Sequence, residues 1–78
     1  MFILTETGDS IVLLLNGACA AMIAKSDVED FTTTVIGNNR LIDFDTKSKR
    51  QVRFAIPNGK QSDLAIEALI KITDEMGI

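Results

Sequence analysis

The chain has no histidine, tryptophan or tyrosine and only one cysteine, Cys19. Each absence removes a class of chemistry. Without imidazole, a serine or Cys19 would need a lysine partner to act as a nucleophile. Cys19 also lies in an apolar run, where burial raises a thiol's pKa, so the expected role is a small core side chain. A lone thiol builds neither a disulfide nor, without histidine, a tetrahedral zinc site. Four phenylalanines are the only aromatic rings, which leaves few platforms for stacking bases. No glycine pattern of the phosphate-cradling kind occurs. These absences lead us to expect a protein that is not an enzyme and holds no metal or cofactor.

Basic charge is also in short supply. The net charge is −3, whereas proteins that chiefly neutralise phosphate backbones carry a basic footprint. The longest apolar stretch, Ile11 to Ala24, is interrupted by Asn16-Gly17 and is shorter than the ~20 residues a spanning helix needs. Glu6 and Asp9 precede it where a signal peptide would be basic. Asn16-Gly17-Ala18-Cys19 resembles a lipoprotein cleavage box only in its small residues, with polar Asn16 at the aliphatic position. The expectation is a cytoplasmic protein with no membrane attachment.

What is present is a single domain, residues 1–78. A chain this short buries only about 60% of its unfolded surface, so a further source of stability is expected from association with another chain. Punctuation at Gly8-Asp9, Asn16-Gly17, Gly37-Asn38-Asn39 and Pro57-Asn58-Gly59 divides the first part into strand-length segments. Phe2 to Glu6 opens the chain, with Phe2 and Leu4 facing one way. Ile11 to Leu15 is continuously apolar, as in a strand covered on both faces. Asn16-Gly17 suits a two-residue hairpin, because both positions tolerate positive φ.

Ala18 to Ala24 would then return as a strand, although its alanines also favour a helix running on to Asp30. Phe31 to Ile36 is rich in threonine and β-branched residues. Arg40 to Thr46 places Ile42 and Phe44 on one face and Asp43 and Asp45 on the other. Gln51 to Ile56 turns Val52, Phe54 and Ile56 inward, and Pro57 stops it.

Ser62 to Met76 reads as an amphipathic helix. Ser62 serves as N-cap, Asp63 complements the dipole, Glu67 and Lys71 form an i,i+4 pair and Gly77 supplies the C′ residue. At about 100° per residue, the charged side chains fill roughly a third of the circle. Leu64, Ala68, Leu69, Ile72 and Met76 form the stripe expected on the sheet. Ile66 and Ile70 lie to its side and are the expected contacts with something beyond it.

The predicted fold is therefore α+β: an antiparallel β-meander of five or six short strands packed against one C-terminal α-helix, at about 62–76.

Two further groups carry charge in a pattern. Asp43 and Asp45 share a strand face, and Asp27, Glu29 and Asp30 lie close in sequence. The former fit a solvated face, and the latter lack the spacing and central glycine of a calcium loop. Arg40, Lys47, Lys49, Arg50 and Arg53 form a basic cluster that would contact an anion or nucleic acid, or balance Asp43 and Asp45 across a hairpin.

Phe2-Ile3-Leu4-Thr5, together with Gln51-Val52-Arg53-Phe54 running into a turn and a C-terminal helix, resembles the carbon storage regulators, which implies RNA-binding translational repression. Glu6 replaces that family's basic residue, the arginine near its last strand has no counterpart among Gln61 to Leu64, and Leu14 to Asp30 is unmatched. The opening is also similar to small flagellar proteins of the FlbD type. The leading expectation is a non-enzymatic protein-interaction module. It would form a homodimer or dock on a larger protein through Ile66 and Ile70 of the C-terminal helix. The alternative is a small nucleic-acid-binding regulator using the basic residues.

Overall fold

The computed structural model describes residues 2–77. Six antiparallel strands precede one helix: β1 (Phe2–Glu6), β2 (Ser10–Leu15), β3 (Ala18–Ala24), β4 (Val28–Ile36), β5 (Asn39–Thr46), β6 (Val52–Pro57) and α1 (Lys60–Glu75). The α+β class and the C-terminal helix agree with the sequence. The single meander does not. The strands form two separate three-stranded sheets, β1-β2-β3 and β4-β5-β6. A 3-10 turn, Lys25–Asp27, carries the chain from one to the other. Strand alternation predicts each hairpin but not the pairing between β3 and β4, which is where the sheet divides.

The ambiguous segment Ala18–Ala24 is a strand. Its hairpin closes through Asn16 and Gly17, with φ of 51° and 84°, the double positive φ that a two-residue primed turn requires. Glycine at the second position meets that requirement without steric cost. The second hairpin is tighter than expected: Ile36 pairs with Asn39, so Gly37-Asn38 alone make the loop. β4 also starts earlier than Phe31 and takes in Glu29 and Asp30 as strand residues.

The core is built from the inner faces of both sheets and one side of α1. Leu4, Ile11, Leu13 and Ile23 of the first sheet join Ile42, Phe44, Phe54 and Ile56 of the second. Phe44 and Phe54 meet edge to face at 5.0 Å, the geometry that aligns a positive ring edge with a negative face. The helix packs on β1 and β6, the outer strand of each sheet, and adds Ala65, Leu69 and Ile72 to the core.

The helix differs from expectation in three respects. It begins at Lys60 after Gly59, so Ser62 is its third residue and not its N-cap. The Ser62 Oγ accepts the Gly59 N–H at 2.8 Å and donates to the Gly59 carbonyl at 2.6 Å, and the residue is fully buried. The buried stripe is rotated away from Leu64, which is 51% exposed. Thr73 takes part in burial instead, its hydroxyl bonded to the Leu69 carbonyl at 3.0 Å. Finally, Glu67 and Lys71 form no ion pair among the described residues. Gly77, at φ 81°, occupies the left-handed position expected after the helix.

Candidate interaction surface

The basic residues are separated by strand parity. Arg40 shares its strand face with Ile42 and Phe44, and its partner Ile56 is buried, so Arg40 stands on the inner side at the sheet's end. There its guanidinium donates to Thr33 Oγ1 at 2.8 Å and to Asp63 of α1 at 3.3 Å. Arg53 projects from the outer face and meets Asp43 on the neighbouring strand, with Nε to Oδ1 at 2.6 Å. That hydrogen bond, with the carboxylate charge behind it, raises the Arg53 pKa further above its usual value. Arg50 lies 3.7 Å from Asp27. Each of the three arginines therefore faces a carboxylate. Lys47 and Lys49, both exposed in the β5–β6 loop, form no ion pair among the described residues.

Asp27 is the fixed point of that loop. It accepts the Ser48 N–H at 2.8 Å and the Ser48 hydroxyl at 2.7 Å. The Ser48 hydroxyl is the main cause that holds the Asp27 carboxyl below its ordinary range, with Arg50 adding a smaller push against partial desolvation. The arrangement ties the β5–β6 loop to the inter-sheet turn. Among the described residues, no three histidine, cysteine, aspartate or glutamate side chains gather closely enough to hold a metal ion.

The surface that sequence reasoning missed is the outer face of the first sheet. Register places Ile3 beside Leu14 and Thr5 beside Val12, with Met22 across from Val12. Ser10 and Ala24 pair at the end of the same face. None of these seven residues carries a charge. Val12 is shielded by its neighbours yet stands outside the core cluster. Ile3 is 54% and Met22 57% exposed. A shallow groove joins this face to α1, with Ile3 on one wall and Leu64 and Ala68 on the other.

The apolar run of β2 was the sequence signal. It reads as a strand covered on both faces; the strand is there, but only the face of Ile11 and Leu13 joins the core. Cys19, expected in the core, is exposed. A register shift between Leu13 and Leu14 pairs it with Leu14, on the outer side.

Of the two helix residues singled out from the sequence, Ile66 is half-buried and packs on the core, while Ile70 is 47% exposed. Helical spacing puts Ile70 on the opposite flank of α1 from Leu64. No helix is long and apolar enough to cross a membrane among the described residues. Comparison with known proteins returns no match: no family model, no curated protein and no solved structure corresponds to the chain.

Proposed function

We propose that the protein is a non-enzymatic self-association module whose first sheet docks, outer face to outer face, on a second copy. One observation carries this reading: β2 is apolar on both sides, but only the side bearing Ile11 and Leu13 joins the core, and the other leaves Ile3 and Met22 more than half exposed around a shielded Val12. A second copy is the occupant that suits the face best. A two-fold interface brings a patch against itself, so any charge on it would meet its own like. This patch carries none. The Glu6–Lys25 ion pair, at 2.6 Å, stands at the end of the opposite side of the sheet, the side of Ile11 and Ile23.

The magnitude sets the strength of association. Burying a large aliphatic side chain completely contributes about 1.5–3 kcal/mol. Ile3, Met22 and Leu64 are each about half exposed, so each supplies roughly 1 kcal/mol, or ~6 kcal/mol over two copies. Association costs an estimated 4–15 kcal/mol. Face contact alone therefore gives a weak, concentration-dependent complex. Sedimentation equilibrium from about 100 μM to 10 mM, approaching the tens-of-millimolar Kd that a net gain of ~2 kcal/mol implies, should show mass rising with concentration. Ile3→Lys should abolish the rise. A wild-type chain that stays monomeric throughout contradicts the proposal.

A further inference from the structure

The first sheet has an open edge as well as an open face. Among the four outer strands, β1 and β6 carry the helix. β4 presents Glu29 and Asp30 and a register shift beside them, devices that discourage pairing with another strand. β3 carries no charge, its sequence being Ala-Cys-Ala-Ala-Met-Ile-Ala, and its own register shift, between Cys19 and Ala21, leaves Met22 to Ala24 in regular pairing.

The direction of its backbone groups can be read from one hydrogen bond. The Lys25 N–H donates to the Asp9 carbonyl at 2.8 Å, on the β2 side. Bonding direction alternates along an antiparallel strand, so Ile23 also faces β2, whereas the N–H and C=O of Met22 and Ala24 point away from it.

We propose that β3 pairs antiparallel with β3 of a second copy, and that this pairing combines with the face contact to close a tetramer. The inference rests on the face-to-face reading above. With Ile23 on the two-fold axis, Met22 lies opposite the partner's Ala24 and Ala24 opposite the partner's Met22. The result is two narrow pairs, each exchanging both N–H···O bonds. The large Met22 side chain then meets a small alanine on the outer face.

The two-fold axis of antiparallel strand pairing is perpendicular to the sheet, so both outer faces end on the same side of one six-stranded sheet. The two-fold axis of face packing lies parallel to the sheet. Two perpendicular two-folds generate a closed tetramer of D2 symmetry. Each contact then reinforces the other, which a face worth only a weak dimer requires.

Ala24→Pro isolates the edge. Ala24 has φ −68°, the angle proline imposes, and its N–H makes no bond to β2, so the substitution removes one outward donor and leaves the fold intact. The wild-type chain, 8.5 kDa per copy, should approach four times that mass at high concentration, and Ala24→Pro should halve it. Hydrogen exchange at the Met22 and Ala24 amides should slow in the wild type as concentration rises.

A wild type that reaches only a dimer, dissociated by Ile3→Lys and unaffected by Ala24→Pro, with no change in exchange at Met22, overturns the strand pairing and leaves the face reading standing. A dimer dissociated by Ala24→Pro and unaffected by Ile3→Lys overturns the face reading, and the tetramer with it. A monomer at every concentration overturns both.

Discussion

Leu69→Ala and Leu64→Ala, made separately, test how the closing helix is seated. Leu69 has no exposed surface and sits among Phe2, Leu4, Phe54 and Ile56 in the core cluster. Truncating such a side chain removes its transfer energy and leaves a cavity that neighbours fill only in part, at a cost of about 3–5 kcal/mol. A 78-residue domain has roughly 4–12 kcal/mol to lose, so this one change consumes much of the margin.

Leu64, 51% exposed, gives up only about half of a buried leucine's transfer energy and opens no enclosed cavity. Its truncation should cost about 1 kcal/mol. Urea unfolding followed by far-UV circular dichroism separates the two. With a slope of about 1 kcal/mol per M, Leu69→Ala moves the midpoint down by ~3–5 M and Leu64→Ala by ~1 M. The comparison belongs at low micromolar protein, where association adds little to apparent stability. Equal losses at the two positions would refute the rotation of the helix described above.

Three other outcomes follow from the same geometry. Ser62→Ala removes the buried hydroxyl that accepts the Gly59 N–H and donates to the Gly59 carbonyl at the helix start, and should lower stability by about 1 kcal/mol in the same assay. Asp27 titrates below its unfolded value, so its contribution is complete above about pH 4 and is lost as pH falls through the lower folded-state value. Asp27→Asn should therefore flatten the acid side of a stability–pH profile while leaving its shape above pH ~6 unchanged; an unaltered acid limb would contradict this. Because Arg40, Arg50 and Arg53 each face a carboxylate, titration with RNA or DNA should show no strongly salt-sensitive binding. Five free phosphate contacts would give a log–log salt slope near −4, and observing that slope would restore the basic cluster as a binding site.

The sequence foretold local structure better than seating. β5 and β6 were legible because Ile42, Phe44, Phe54 and Ile56 recur every second residue, and the Asn16-Gly17 turn because few other pairs accept its dihedrals. The helix was legible, but its buried side was not. Counting only apolar residues drew the stripe toward Leu64, whereas Ser62 and Thr73 enter the core because their hydroxyls bond to carbonyls of their own chain. Hydrophobicity does not register a polar group satisfied locally.

The division into two sheets depends on whether β3 and β4, consecutive in sequence, pair across the Lys25–Asp27 turn, which alternation within each strand does not encode. The face of the first sheet illustrates the same point. Val12 and Leu14 announced a strand apolar on both sides, but only the fold shows that the second side stays outside the core and leaves Ile3 and Met22 exposed.

An isotope-filtered NOE experiment on a mixture of labelled and unlabelled chains tests the central claim most directly. If the outer face of the first sheet is the interface, intermolecular contacts will appear among the methyl groups of Ile3, Leu14 and Met22. Contacts confined to Ile66 and Ile70, or none at millimolar concentration, would contradict it.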